Sequence, residues 1–278
     1  MAATDLDSAG AERLYPQGDL MKGKRGLIMG VANDHSIAWS IAKSVAAQGA
    51  ELAFTYQGSA FEKRVRPLAA SVGSDLVHSC DVEDDEAMDA VFAQISERWG
   101  NLDFVVHCIA YSDKQELKGR YVDTTRTNFM RSLDISCYSF TAMMRRAAPL
   151  MTNGGSAVTL SYLGAERVVP NYNVMGVAKA ALEASVRYLA WDLGPDGIRV
   201  NAISAGPLRT LAGSAIGAAR AMYSWNKDHA PLKDVTHIHH VGGAGLYLLS
   251  DLSGSVTGEI HYVDAGYNIL GLPDMKDI

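Results

Sequence analysis

The chain has 278 residues, 48% of them hydrophobic and 20% charged, with a formal net charge of −6. That length can bury a sizeable core, and the acidic balance argues against nucleic acid or an anionic membrane as the main partner. Cys80, Cys108 and Cys137 are isolated and odd in number, which fits neither a zinc site nor a disulfide framework and favours a reducing compartment.

"MAATDLDSAGAERLYPQGDL" carries three acids before residue 13 and no apolar run. It reads as neither signal nor transit peptide, and residues 1–21 are expected to form an arm. No stretch approaches the ~20 apolar residues of a membrane span, so a cytoplasmic protein is expected. From there, short apolar runs alternate with segments of three- and four-residue apolar spacing. The runs are "RGLIMG", "ELAFTYQ", "DLVHSCDV", "LDFVVHCIA", "SAVTLSYL", "IRVNAIS" and "EIHYVDAG"; several are almost continuously apolar, as in strands covered on both faces. Helices are predicted in "SIAWSIAKSVAAQGA", "DDEAMDAVFAQISERWG" and "ALEASVRYLAWDLGPDG", ending near Gly49, Gly100 and Gly194. The alternation predicts right-handed crossovers and one Rossmann-like, doubly wound α/β domain over residues 22–278, with a parallel sheet of about seven strands.

The first strand is predicted to end at Gly30 and lead into "GVANDHSIAWSIA". A dinucleotide fold needs a tight turn there and a helix whose free N–H groups face a pyrophosphate. Gly30 can supply the turn, and Ser36 suits close approach or an N-cap. The later glycines of G-x-G-x-x-G are missing, so a junction without ligand stays open. Gln57, at the predicted end of the second strand, can bond a ribose hydroxyl without bringing charge, which favours NADH over NADPH. Lys63, Arg64 and Arg66 read as a solvated basic face. Asp81 and Val82 close the third strand. "HCIA" closes the fourth, with Cys108 as a small packing residue rather than a nucleophile.

"SYLGAERVVPNYNVMGVAK" spans residues 161–179. If helical, the seven residues from Tyr172 to Lys179 turn ~700°, placing both on one face about 10 Å apart. An ammonium near a phenol lowers its pKa, and Tyr162, after the fifth strand, reaches the same crevice. Two packing aromatics and a surface lysine are the alternative. Further on, "THIHH" reads as a solvated helix start rather than a metal site.

These motifs resemble the short-chain dehydrogenase/reductase superfamily, and within it the NADH-dependent enoyl-acyl-carrier-protein reductases. The wider superfamily has Tyr-x3-Lys; the enoyl reductases have Tyr-x6-Lys with an upstream tyrosine, as in "LSYLGAERVVPNYNVMGVAKAALEASVRYLA". "GVANDHSIAWSIA", "AELAFTYQ", "CDV", "DISCYSF" and "VNAISAGPLRTLA" follow the same family in order, and the resemblance spans residues 22–268. It implies reduction of trans-2-enoyl thioesters on acyl carrier protein by a homotetramer, with no metal. Tyr172 would stabilise the enolate, Tyr162 would line the pocket, and Lys179 would hold the nicotinamide ribose. Gly30, Ser36, Ile37, Gln57, Asp81, Val82, Cys108, Ile109, Ala110, Lys179, Pro207, Leu208 and Thr210 would contact NADH. Ala110, Tyr111, Leu117, Tyr162, Tyr172 and Met175 would face substrate. Residues 207–230, including Leu211, Ile216 and Met222, would be the substrate-binding loop.

Three departures stand out. Ser136 occupies the place of an asparagine used by ketoreductases, which disfavours a carbonyl reductase. Cys108 replaces a Ser or Ala, and Ala265 in "VDAG" takes a place where glycine is common. A dinucleotide-sensing regulator that lost turnover is the non-enzymatic alternative; the retained Tyr172 and Lys179 argue against it.

Overall fold

The computed structural model describes residues 14–211, 213 and 219–272. Among these, seven strands form one parallel sheet in the order β3-β2-β1-β4-β5-β6-β7. The strands are β1 (Arg25–Met29), β2 (Glu51–Tyr56), β3 (Leu76–Ser79), β4 (Phe104–His107), β5 (Gly155–Ser161), β6 (Ile198–Ala205) and β7 (Ile260–Val263). The predicted apolar runs therefore all become strands; β6 extends one residue past its predicted run, and the others stop one to three residues short. Between them lie α1 (Ile37–Ala46), α2 (Ser59–Ser71), α3 (Asp85–Trp99), α4 (Arg126–Leu133), α5 (Ser139–Ala147), α6 (Val174–Leu193), α7 (Ala219–His229) and α8 (Ile238–Leu249).

The sheet is covered on both faces, which is why its central strands read as continuous apolar runs. One core gathers Ile28, Phe54, Phe104 and Val158 with Trp39 and Ile41 of α1. The other gathers Leu27, Val105 and Ala157 with Ile95 of α3, Phe140 of α5 and Leu182 of α6. Alternate residues of one strand thus feed opposite layers.

Local chemistry sets the helix ends. Asp84 caps α3 by accepting from the amides of Glu86 (2.9 Å) and Ala87 (3.2 Å), and left-handed Gly100 ends it. Gly49 is also left-handed, whereas Gly194 is not; the left-handed residue after α6 is Gly197. Arg146 of α5 reaches Asp85 (2.7 Å) and Asp89 (2.6 Å) of α3, tying the two helices together.

The arm is docked from Tyr15 onward. Tyr15 Oη and Ser40 Oγ are 3.0 Å apart, the amide of Gly18 donates to Ala47, and Met21 is fully buried. A boundary at residue 21 therefore cuts through packed chain; residues 1–13 lie outside the described residues, as do 273–278 of the expected domain.

Candidate active site

The cofactor-side residues fall at the C-terminal ends of successive strands. Gly30 follows β1, Gln57 follows β2, Asp81 and Val82 follow β3, Cys108, Ile109 and Ala110 follow β4, and Pro207, Leu208 and Thr210 follow β6. Strand order reverses between β1 and β4, where an open α/β sheet leaves its ligand crevice. Gly30 sits at that point with φ +100°, and a Cβ there would lie 2.1 Å from the Cys108 carbonyl oxygen. Only glycine fits, and the backbone cradle suits a dinucleotide passing over it.

Ser36 occupies the N-cap position of α1 but makes no bond to a helix amide. Its Oγ accepts instead from Ala32 and Asn33 N, both at 3.0 Å. The serine braces the preceding loop, and the first helix amides are left for a ligand rather than capped. Ile37, half-buried, packs on the core below. Gln57 donates to Asp81 Oδ2 at 2.8 Å, joining the ends of β2 and β3. The nearby basic face is solvated as expected, with Arg66 paired to Glu62 at 2.8 Å. Burial pushes the Cys108 thiol up, which fits packing rather than nucleophilic attack. Thr210 Oγ1 accepts from the Gly213 amide at 3.0 Å.

The tyrosine pair is presented differently from the helical expectation. α6 begins at Val174, and Tyr172 lies ahead of it, between Asn171 (φ +64°) and Asn173 (φ +40°). These two asparagines break helical geometry, so Tyr172 and Lys179 do not share a continuous helix face. Asn173 Nδ2 donates to the Glu116 carbonyl (3.2 Å), anchoring the loop that carries Leu117. The rings of Tyr162 and Tyr172 meet edge to face with centroids 5.0 Å apart. Gly164 makes room, since a Cβ there would lie 2.4 Å from the Tyr172 ring.

Lys179 is 5% exposed and donates through Nζ to the Leu160 carbonyl at 2.7 Å. Burial pulls its pKa down to about 8. Burial also pushes the Tyr172 phenol up, followed by Tyr162 and Glu183, so the expected lowering by the lysine is not found. Tyr162 is pushed up to about 12, again mainly by burial. Both phenols therefore stay protonated donors in a low-dielectric site.

Leu117, Tyr172 and Met175 share one small apolar cluster, with Tyr162 packed against it. Ser136, on a π-helical turn (Asp134–Tyr138), links this cluster to Tyr111. Its Oγ accepts from the Tyr111 amide at 2.9 Å and lies 3.8 Å from Met175 Sδ. The Tyr111 ring is 40% exposed beneath Arg131, whose guanidinium carbon lies 4.6 Å from the ring centroid. Ala110 is exposed beside it.

A mainly apolar cavity of about 520 Å³ is lined by Tyr162 but not by Leu117, Tyr172 or Met175. Leu163, Pro207, Met222, Trp225 and Leu270 contribute to its wall. Of the six residues expected to face substrate, only Tyr162 lines this cavity. Trp225 Nε1 donates to Tyr267 Oη at 2.9 Å, and His229 stacks on the Trp225 ring with centroids 3.7 Å apart. Leu211 is exposed, and Ile216 with residues 212, 214, 215, 217 and 218 of the expected loop lies outside the described residues.

Sequence reading missed Ser161 and Glu183, whose hydrogen bond ties the end of β5 to the buried face of α6. The i+4 spacing of Glu183 from Lys179 was the available signal. It also missed His107, fully buried between Thr159 Oγ1 (3.0 Å) and Ser139 Oγ (2.8 Å) and lowered to about 3 by burial. The start of α8 is less solvated than expected. Thr236 is buried, and His239 is lowered to about 4 by burial, neighbouring His240 and His237, and Lys43. No group of three or more His, Cys, Asp or Glu among the described residues is placed to hold a metal ion. Ala265 adopts φ +60°, a left-handed position where glycine costs less.

The family model described as enoyl-(acyl carrier protein) reductase matches residues 30–268. The enoyl-(acyl-carrier-protein) reductase (NADH) 2 of Rhizobium meliloti (strain 1021) is 67% identical over 92% of this chain and 96% of its own length. A crystal structure of the reductase from Anaplasma phagocytophilum in complex with NAD aligns with a TM-score of 0.89. It is 58% identical and covers 93% of this chain and 97% of that one. FabI from Candidatus Liberibacter asiaticus aligns at 0.91, with 56% identity, over 93% of this chain and all of that one. The chain belongs to the enoyl-(acyl carrier protein) reductase family.

Proposed function

We propose that this protein reduces the trans-2 double bond of enoyl thioesters carried on acyl carrier protein, with NADH as reductant, in fatty-acid synthesis. The observation that carries the reading is the edge-to-face pair of the buried Tyr172 and half-buried Tyr162 rings, centroids 5.0 Å apart, beside an apolar cavity. When bound, NADH supplies the hydride that reaches the β-carbon of the enoyl group. Negative charge then gathers on the thioester oxygen. Tyr172 donates a hydrogen bond to that oxygen, stabilising charge that is largest in the transition state. Tyr162 orients the substrate from the cavity side, and the apolar wall shelters the acyl chain from water.

The cradle at Gly30, the amides opening α1 and the strand-end row through Gln57, Asp81 and Ala110 would hold the dinucleotide. Lys179 would bond the nicotinamide ribose. Gln57 favours NADH over NADPH, because it brings no cation toward a 2′-phosphate and its amide already serves Asp81. Residues 207–230 act as the covering segment, a reading that includes positions outside the described residues. No described helix is long and apolar enough to cross a membrane. A homotetramer is part of the proposal.

Oxidation of NADH by the purified chain, with a trans-2-enoyl and a 3-ketoacyl thioester of equal length, tests this directly. Oxidation with the enoyl substrate alone is expected. Oxidation with only the keto substrate would show a carbonyl reductase on the same fold.

A further inference from the structure

Glu183 is a buried acid that no step above uses. It lies one turn beyond Lys179 on α6, is 5% exposed, and accepts a hydrogen bond from Ser161 Oγ. The neighbouring turn makes the matching bond, Lys179 Nζ to the Leu160 carbonyl at 2.7 Å. Two successive residues at the end of β5 are thus tied to two successive turns of α6. Tyr162 follows Ser161 directly, and Tyr172 lies two residues before α6. The geometry of the tyrosine pair therefore depends on how the end of β5 sits against α6.

We propose that Glu183 is a positioning residue that clamps Ser161 to α6 and so holds Tyr162 and Tyr172 in register for the substrate carbonyl. The inference rests on the catalytic reading of those tyrosines. Burying a carboxyl without a partner is costly, and the Ser161 hydroxyl supplies one. Burial shifts Glu183 upward, and the bond from Ser161 opposes that shift. Glu166, Arg187 and Lys179 are the charged groups that face it. The clamp needs an acceptor oxygen at position 183 and a hydroxyl at 161. It does not need a full negative charge.

The test uses the intact protein, with kcat on a trans-2-enoyl thioester and the NADH dissociation constant as readouts. Ser161→Ala and Glu183→Met are each expected to lower kcat by about tenfold or more, as small misplacements of reacting groups do, with NADH affinity within about twofold. The double variant should lose no more than either single one, and Glu183→Gln, which keeps an acceptor, should recover most of the rate. A purely structural residue would lower thermal stability while leaving kcat per folded molecule unchanged. If Glu183→Met does not fold, Ser161→Ala against Glu183→Gln carries the comparison. Unchanged kcat in Ser161→Ala, multiplying losses in the double variant, or Glu183→Gln as slow as Ser161→Ala would each overturn the clamp. A wild-type chain inactive on the enoyl thioester would overturn the proposed function as well, which separates the two failures.

Discussion

Lys179 keeps an ammonium where only 5% of its surface meets solvent, with the Leu160 carbonyl as its hydrogen-bond partner. Its pKa in the fold, about 8, lies below its ordinary 10.5. The folded state therefore binds this proton less tightly than the unfolded chain. The charge penalty is fully present below pH 8 and is relieved as pH rises toward 10.5. Stability of the cofactor-free protein should gain on the order of 2 kcal/mol between pH 8 and 9.5 from this group. Urea titrations across that range, compared with Lys179→Met, check it through the difference between the two pH slopes. The slope should be more positive in the wild type by this amount, since the buried Cys80 and Cys108 thiols push stability the other way in both proteins. An identical slope in both proteins would place the lysine in a wetter setting than its burial indicates. Tyr162 and Tyr172 shift the other way, holding their protons beyond pH 10, so they do not mask this window. At this scale the sequence named Tyr162, Tyr172 and Lys179 but misjudged their coupling. Burial is the main cause of the shift in the Tyr172 phenol, and it runs upward.

Elements were more legible than their joints. The strands were readable because both faces of the sheet are covered, which writes apolar runs directly into the chain. α3 was readable to within a residue because Asp84 and Gly100 mark its ends by side-chain and backbone chemistry. Replacing Asp84 with Ala should cost about 1 kcal/mol, measured by urea denaturation, with NADH binding unchanged. No loss would mean that packing of α3 against α5, through Arg146, fixes the helix start unaided. The start of α6 was not legible, because tyrosine and lysine spacing implies a helix that Asn171 and Asn173 interrupt through positive φ. The π-helical turn that brings Ser136 to Tyr111 and Met175 was equally hidden, since i+5 bonding leaves no periodicity to read. Nor did spacing reveal that Tyr162 lines the apolar cavity while Leu117 and Met175 do not.

In the whole molecule, strand order carries residues from six separated segments to one edge of the sheet. That convergence was implied by the alternation of strands and helices, whereas quaternary structure was not. α6 presents Tyr188 and Trp191 outward, 74% and 82% exposed, on the helix whose inner face holds Lys179 and Glu183. Large exposed aromatics on one helix suit a contact between copies of the chain. Sedimentation equilibrium should return four times the 29.8 kDa chain mass, and Trp191→Glu should lower it. A wild-type monomer would refute the tetramer. If the buried phenol of Tyr172 stabilises charge on the thioester oxygen, Tyr172→Phe removes that donor and little else. Its kcat on a trans-2-enoyl thioester should fall by about 10²–10³, with the NADH dissociation constant within about twofold of wild type. Undiminished turnover, or loss of NADH binding in proportion to the loss of rate, would show that Tyr172 does not stabilise that charge.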